Sequence, residues 1–239
     1  MADHPRANLP PLTLHVPEPK FRPGDAADFA AVDIPPAGAV RRPDTADPAS
    51  GFTDLAYTLV RVLDEQDRAV GPWDPKLSPD QLRRMLRSMA LLRAFDERMF
   101  RAQRQGKTSF YMKATGEEAV AVAAAYALDR DDMCFPSYRQ QGLLIARDWS
   151  LVDMMNQIYS NKGDRLQGKQ LPIMYSAKEG SFFSISGNLA TQYPQAVGWA
   201  MASAAKGDTR IAAVWCGEGS TAEATSTPPA PLPACTGRR

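Results

Sequence analysis

Hydrophobic residues recur every three or four positions along residues 78–105, and arginines lie on the other face. The apolar positions are Leu82, Met85, Met89, Leu92 and Phe95. This spacing predicts an amphipathic helix. Its start is marked by Ser78-Pro79-Asp80-Gln81, which combines an N-cap, a proline at the first helical position and a glutamine for a capping box. We interpret the arginine-rich face as a solvated surface rather than a binding patch.

Three further helices are predicted downstream. They cover residues 117–128, 151–160 and 194–206. The first of them has Glu117 and Glu118 in its first turn, where carboxylates interact favourably with the helix dipole. Residues 210–216 form a short, nearly continuous apolar run, which is typical of a strand buried on both faces of a parallel sheet. Residues 56–70 read as a short hairpin.

Proline divides the chain into regions of different physical character. Ten of the 20 prolines lie in residues 1–50, three in 51–80, three in 81–224 and four in the last 15 residues. Because proline lacks a backbone donor and blocks helix interiors, the two ends must differ from the middle. We expect an extended, Pro-rich arm with a short hairpin over residues 1–75. The main domain is expected over 76–224, and an aberrant Pro-rich tail over 225–239.

Charge and cysteine content exclude several classes of protein. The chain has 28 Lys+Arg against 27 Asp+Glu, a net charge of +1, which gives no electrostatic case for nucleic acid or a membrane surface as a partner. Cys134, Cys216 and Cys235 show neither a disulfide framework nor a metal-ligand spacing. The N-terminus has no signal-peptide pattern. We therefore expect a cytoplasmic protein.

The clearest chemical signal follows the predicted strand, at Gly217-Glu218-Gly219. A strand that ends in Gly-x-Gly and enters a helix presents free backbone N–H groups to a phosphate. With Ala222, these residues match a relaxed dinucleotide fingerprint, although the acidic residue expected about 20 positions later is missing. Alternatively, Glu218 is the ligand of a divalent cation that bridges to a diphosphate. A plain turn with a surface glutamate is the third interpretation.

Two other polar segments add candidates. Tyr138 and Arg139 are adjacent just before a predicted helix, and an arginine fork suits phosphate oxygens, although the pair on its own favours a structural salt bridge. Residues 185–192 form a polar loop that leads into the helix predicted over 194–206. Its hydroxyl, amide and carbonyl oxygens could bind a monovalent cation or a ring system, or could cap the helix.

Taken in order, these segments resemble the α subunit of the thiamine-diphosphate-dependent 2-oxoacid dehydrogenase E1 component, most closely the branched-chain (2-oxoisovalerate) type. The resemblance covers about residues 12–223. The segments that carry it are Tyr138-Arg139, residues 170–175, residues 186–192, residues 194–198, Gly217-Glu218-Gly219 and, in the arm, residues 14–19 and 57–66. It implies an α/β thiamine-diphosphate-binding fold, a parallel sheet flanked by helices, incomplete and with an extended N-terminal arm.

The resemblance also implies an activity and partners. These are oxidative decarboxylation of branched-chain 2-oxoacids with acyl transfer to a lipoylated E2 core, carried out with an E1 β subunit in an α₂β₂ heterotetramer. The cofactor would lie at the α/β interface. A pyruvate- or acetoin-type E1 α subunit, and a non-catalytic module that docks on the β subunit, remain as alternatives. A nicotinamide enzyme is the weakest candidate.

Residue roles follow from the resemblance. Tyr138 and Arg139 would contact the diphosphate, Glu218 would bind Mg²⁺, and Gly219 and Ser220 would line the diphosphate. Three more residues would lie against thiamine diphosphate, namely Gly187, Leu189 and Gly217. A structural K⁺ would be surrounded by Ser186, Thr191, Gln192 and the carbonyl oxygen of Asn188. Family members often have proline where Asn188 stands.

The end of the chain departs from the family pattern. The family continues after Gly-Glu-Gly with an Asn-Asn pair and a catalytic histidine, whereas the histidines of this chain are His4 and His15. Four prolines within residues 228–233 interrupt a helix that should continue there. We therefore hypothesise a truncation or frameshift near codon 225, which resequencing would test, and assign no catalytic residue. For the isolated chain we expect no turnover and weak or absent cofactor binding.

Overall fold

A computed structural model describes Gly24, Ala26, residues 34–44 and residues 46–223. The Pro-rich tail predicted over 225–239 lies outside the described residues, as do most of residues 1–50 of the predicted arm. The chain divides into two units, residues 1–76 and residues 77–239. Within the described part of the chain, no helix combines the length and the apolar character needed to cross a membrane.

The first unit contains the predicted hairpin in a shorter form. Leu63 forms an antiparallel bridge with Ala69, and the Val70 N–H donates to the Val62 carbonyl at 2.9 Å. The residues assigned to the start of the hairpin instead end a 3₁₀ helix, Ala49–Tyr57. The hairpin prediction is therefore confirmed for its tip and wrong for its first residues.

The second unit combines helices with a small parallel sheet. The α-helices are α1 (Pro79–Arg104), α2 (Glu118–Ala127), α3 (Gln141–Ala146), α4 (Leu151–Ile158) and α5 (Gln192–Ala205). The strands are β1 (Met133–Phe135) and β2 (Ala212–Val214), and short 3₁₀ helices lie at Lys178–Gly180 and Glu218–Ala222. β1 and β2 are parallel, with Cys134 opposite Ala213. The α/β class expected from the sequence is confirmed.

Helix α1 begins with the predicted capping box. The Ser78 hydroxyl accepts from the Gln81 N–H at 3.3 Å, and the Gln81 side chain accepts from the Ser78 N–H at 2.9 Å. Leu92 and Phe95 are buried as predicted, but Leu82 is 52% exposed. Only the C-terminal half of the predicted apolar face therefore packs into the core of this unit.

Helix α3 crosses close to α1 and α2 at Gly142. An added Cβ on Gly142 would lie 2.9 Å from the Ala121 Cβ and 2.9 Å from the Leu92 Cδ2. Real Cβ atoms do not approach other atoms so closely, and the Ala121 methyl group cannot move independently of its helix. The bare Cα of Gly142 therefore allows α3 to pack against both neighbours.

Replacing Gly142 by alanine should lower the free energy of unfolding by about 1–3 kcal/mol, because the extra methyl group overfills the contact between helices. The matched control is Gly198→Ala in α5, where an added Cβ meets no atom within 4 Å. This control should be neutral or stabilising by up to about 1 kcal/mol. Urea denaturation measures both variants, and equal effects at the two positions would contradict the packing argument.

The small sheet is fixed by contacts on both sides of β1. On one side, the Cys134 N–H donates to the Ser181 carbonyl and the Phe183 N–H donates to the Cys134 carbonyl, each at 2.8 Å. On the other side lies β2, against which α5 packs. The sequence predicted that this strand would be buried on both faces, which is wrong for the described residues. Val214 is 36% exposed and Ile211 42% exposed, because α5 packs against β2 and no second helix in the described part of the chain covers it to a similar extent.

Asp132 sets the relative position of the two strands. Its carboxylate is buried and accepts hydrogen bonds from the Ile211 N–H and the Asp129 N–H, each at 2.8 Å. Asp132 directly precedes β1, and Ile211 directly precedes β2. One carboxylate therefore aligns the starts of both strands, and hence also the loops at their carboxyl ends.

Candidate functional site

A cavity of about 560 Å³ lies where four chain segments meet. Residues 137–140 follow β1, residues 216–220 follow β2, and the other two segments are the start of α2 and the loop before α5. Because β1 and β2 are parallel, the loops after them lie at the same edge of the sheet. This is the edge at which open α/β folds bind ligands. We refer to this cavity as the cleft.

The cleft brings together eleven of the twelve residues singled out from the sequence. They are Tyr138, Arg139, Ser186, Gly187, Asn188, Leu189, Gln192, Gly217, Glu218, Gly219 and Ser220. The twelfth, Thr191, is absent from the lining, but its hydroxyl donates to the Asn188 carbonyl at 3.1 Å. Segments up to 82 residues apart in sequence thus converge on one cavity, as the family resemblance implied.

Arg139 is held loosely at the cleft wall. Its Nη1 lies 3.4 Å from the Glu117 Oε1, and its side chain is 37% exposed. The guanidinium carbon lies 5.2 Å from the centroid of the Tyr138 ring, within the range of a cation–π contact. A long, half-exposed ion pair contributes little to stability. Arg139 can therefore exchange this partner for an anion in the cleft.

The turn that carries these two residues is closed by Gln140. The buried Gln140 side chain accepts from the Ser137 N–H at 2.9 Å and from the Ser137 hydroxyl at 2.7 Å. These contacts close the turn over residues 137–140 immediately before α3. Tyr138 and Arg139, which lie between Ser137 and Gln140, consequently project from a backbone of fixed conformation.

The Gly-x-Gly segment leaves its backbone accessible. An added Cβ on Gly217 or Gly219 would meet no heavy atom within 4 Å, so no packing inside the chain requires glycine there. Glycine at these positions instead leaves space for a ligand against the backbone. The helix predicted to follow is a five-residue 3₁₀ helix, Glu218–Ala222, so we assign no phosphate site to a helix dipole.

Glu218 is the candidate cation ligand. In the described part of the chain its carboxylate has neither a hydrogen bond nor an ion pair, although it lines the cleft. No cluster of three or more His, Cys, Asp or Glu side chains suited to a metal ion occurs among the described residues. A cation at Glu218 therefore needs further ligands other than a cluster of carboxylate, thiolate or imidazole groups, and phosphate oxygens would suit an ion that bridges to a diphosphate.

The loop before α5 concentrates oxygen atoms. The Ser186 hydroxyl accepts from the Asn188 N–H at 3.2 Å, and the Thr191 hydroxyl contacts the Asn188 carbonyl. The Gln192 amide donates to the Trp215 carbonyl at 2.7 Å, which ties the start of α5 to the end of β2. The Gln192 amide oxygen has no hydrogen bond in the described structure. The four residues named from the sequence as K⁺ ligands therefore lie in this loop and at the first residue of α5.

Five lining residues were missed from the sequence as site residues. They are Glu117, Val120, Ser137, Gln140 and Cys216. Ser137 and Gln140 follow the S-x-x-Q pattern that marks a helix start, so this signal could have identified them. Glu117 was noted only as a helix-start carboxylate. It lies 22 residues before Arg139, and no local pattern connects the two residues.

Comparison with family models gives two matches. Residues 86–227 match the model described as dehydrogenase E1 component. Residues 10–50 match the model described as 2-oxoisovalerate dehydrogenase E1 alpha subunit N terminal. The first match includes every residue that lines the cleft.

Comparison with curated proteins gives relatives with consistent names. The chain is 61% identical over 213 residues to the 2-oxoisovalerate dehydrogenase subunit alpha of Pseudomonas aeruginosa, covering 89% of the chain and 52% of the relative. It is 42% identical over 166 residues to the mitochondrial 2-oxoisovalerate dehydrogenase subunit alpha of Mus musculus, covering 69% of the chain and 38% of the relative. The human mitochondrial protein of that name is 41% identical over 166 residues, covering 69% of the chain and 37% of the relative. The chain thus spans about half the length, or less, of these relatives.

Proposed function

Because the chain belongs to the dehydrogenase E1 component family, which depends on thiamine diphosphate, we propose that it forms part of a branched-chain 2-oxoacid dehydrogenase E1 α subunit. The observation that carries this proposal is the convergence on one cleft of an exchangeable arginine, an unpaired glutamate and a glycine-lined backbone. Its relatives are named for 2-oxoisovalerate, which favours the branched-chain type over the pyruvate and acetoin types.

The cleft residues suit the diphosphate of the cofactor. The Arg139 guanidinium would leave Glu117 and bind phosphate oxygens through two parallel N–H groups. Tyr138 and Ser220 would add hydroxyl groups, and Gly219 would let the phosphate approach the backbone. The remaining contacts proposed for the cofactor are Gly187, Leu189 and Gly217.

Two cations complete the proposed site. Glu218 would bind Mg²⁺ together with diphosphate oxygens, because Mg²⁺ is commonly held by one or two carboxylates plus phosphate oxygens. A structural K⁺ would be held by Ser186, Thr191, Gln192 and the Asn188 carbonyl. The proximity of these oxygen atoms in one loop supports that ligand set.

The chemistry divides between cofactor and protein. When bound, thiamine diphosphate supplies a carbon nucleophile and an electron sink for the decarboxylation of a 2-oxoacid. The residues of this chain bind and orient: Arg139 and the Glu218-bound cation neutralise the diphosphate charge, and the turn closed by Gln140 fixes the direction of the arginine. We assign no proton transfer to any described residue.

The proposed partners are an E1 β subunit, in an α₂β₂ heterotetramer, and a lipoylated E2 core. A cofactor shared between α and β subunits would explain why Glu218 is the single unpaired carboxylate at the cleft among the described residues. The substrate would be a branched-chain 2-oxoacid. We propose the bacterial cytosol as its location, since one of the similar proteins is bacterial.

Co-expression of the chain with its E1 β subunit tests the proposal. We expect the purified complex to bind thiamine diphosphate only when Mg²⁺ is present, and not to bind NAD. Any decarboxylation should be faster with 2-oxoisovalerate than with pyruvate, and acetoin, which has no carboxyl group to lose, should not be cleaved. Co-purification without Mg²⁺-dependent cofactor binding would overturn the proposal in favour of a non-catalytic docking module.

A further inference from the structure

A buried carboxylate outside the cleft is linked to both partners of the Arg139–Glu117 ion pair. Asp96, on α1, is fully buried and does not line the cleft. We infer that Asp96 is a positioning residue that fixes Arg139 and Glu117 relative to each other. This inference rests on the proposed role of Arg139 in binding the diphosphate.

Asp96 is saturated with hydrogen-bond donors. One carboxylate oxygen accepts from the Tyr111 hydroxyl at 2.7 Å and from the Gln141 amide at 3.1 Å. The other accepts from the Ala114 N–H at 2.7 Å. Burial raises the pKa of Asp96, so a carboxylate here is unfavourable for folding without these donors.

The first link runs from Asp96 to Glu117. The Ala114 N–H is bound to Asp96, and the Ala114 carbonyl accepts from the Glu117 N–H at 2.8 Å. Ala114 is itself fully buried. The backbone of Glu117, whose carboxylate faces Arg139, is thereby attached to Asp96 through one residue.

The second link runs from Asp96 to Arg139. Gln141 is the first residue of α3, two positions after Arg139, and its side chain is fully buried. Its amide nitrogen donates both to Asp96 and to the Met112 carbonyl, the latter at 3.3 Å. The turn that carries Arg139 is thereby attached to the same carboxylate.

The two links close a ring. Its members are Asp96, Ala114, Glu117, Arg139 and Gln141. One carboxylate therefore sets the separation between the two backbone segments that carry the ion pair. A displacement of about 1 Å is enough to impair a positioned group. If the hydrogen bonds of this ring are broken, Arg139 should therefore bind a diphosphate less tightly.

The test is a double-mutant cycle on the complex with the E1 β subunit. Asp96→Asn should weaken Mg²⁺-dependent thiamine diphosphate binding about tenfold, as should Arg139→Gln, each by about 1.4 kcal/mol. If Asp96 acts through Arg139, Asp96→Asn should cause almost no further loss in the Arg139→Gln background. Additive losses would overturn the inference.

A matched control separates positioning from stability. Thr108→Val removes another buried hydrogen bond, from the Thr108 hydroxyl to the Ile158 carbonyl, which is not part of the ring. We expect this variant to lower the unfolding midpoint as Asp96→Asn does, but to leave cofactor affinity unchanged. Equal losses of affinity in the two variants would indicate a general effect of destabilisation and would contradict a positioning role.

A cofactor-free measurement keeps the inference separate from the proposed function. In hydrogen exchange, Asp96→Asn should speed exchange in residues 114–117 and 137–141 more than elsewhere, whereas Thr108→Val should not. If the unmodified complex fails to bind thiamine diphosphate, the proposed function fails and hydrogen exchange alone decides the role of Asp96. Absence of selective exchange in these two segments would overturn the inference.

Discussion

Replacing Glu218 by alanine is expected to weaken Mg²⁺-dependent thiamine diphosphate binding by the complex with the β subunit at least about 100-fold, since even residues that only support a metal ligand cost 10–100-fold when mutated. Glu218 is the carboxylate in the cleft that no described residue neutralises. The alanine variant therefore removes the negatively charged ligand that we propose for the cation. Titration calorimetry at saturating Mg²⁺ measures the effect.

Two further variants sharpen the Glu218 experiment. Glu218→Gln retains an oxygen ligand without the charge and should fall between the alanine variant and the unmodified protein. Glu179→Ala removes a carboxylate that pairs with Arg165 outside the cleft, where both side chains are about half exposed or more. This control should bind the cofactor normally, because exposed ion pairs contribute little. Binding by Glu218→Ala within threefold of the unmodified protein would contradict the assignment of Glu218.

Replacing Arg147 by methionine should lower the free energy of unfolding by about 3–5 kcal/mol, because it leaves several backbone carbonyls without a donor and each buried unsatisfied group costs about 1–3 kcal/mol. The guanidinium is buried and donates to the carbonyls of Asp129 at 3.1 Å, Asp132 at 3.3 Å and Gly180 at 2.8 Å. Methionine fills a similar volume but leaves these carbonyls without a donor. Since small proteins have only about 5–15 kcal/mol of stability, such a loss approaches global unfolding.

Arg147→Lys provides the comparison for this variant. Lysine keeps a charged donor, so Arg147→Lys should lower the free energy of unfolding by less than Arg147→Met does. It should still be destabilising, because lysine cannot reach several carbonyls with one planar group. Urea denaturation followed by circular dichroism gives both values. A loss below about 1 kcal/mol for Arg147→Met would show that water replaces the guanidinium, and would contradict its role in holding the segment before β1 against residue 180.

Local signals in the sequence predicted the local structure well. The capping box at Ser78 depends on residues three positions apart, and α1 begins where that signal places it. The cleft could also be anticipated, because the resemblance assigned the residues of several separate segments to one site. Parallel strands then bring the loops after β1 and β2 to the same edge of the sheet.

Long-range contacts account for what the sequence did not predict. Asp96 and Gln141 are 45 positions apart, and Arg147 and Gly180 are 33 apart, so no pattern within a single element identifies either contact. The exposure of Val214 has a similar cause. An apolar run predicts burial, but whether a neighbour covers it depends on the remainder of the sheet.

The most direct measurement of the central claim is a crystal structure of the complex with the β subunit, grown with thiamine diphosphate and with Mn²⁺ in place of Mg²⁺. The account predicts an anomalous Mn²⁺ peak within about 2.2 Å of a Glu218 carboxylate oxygen, with diphosphate oxygens completing its ligands. It also predicts that Arg139 turns from Glu117 to the diphosphate. Cofactor and Mn²⁺ bound away from this cleft, or a cleft without Mn²⁺ at saturating concentrations, would contradict the account.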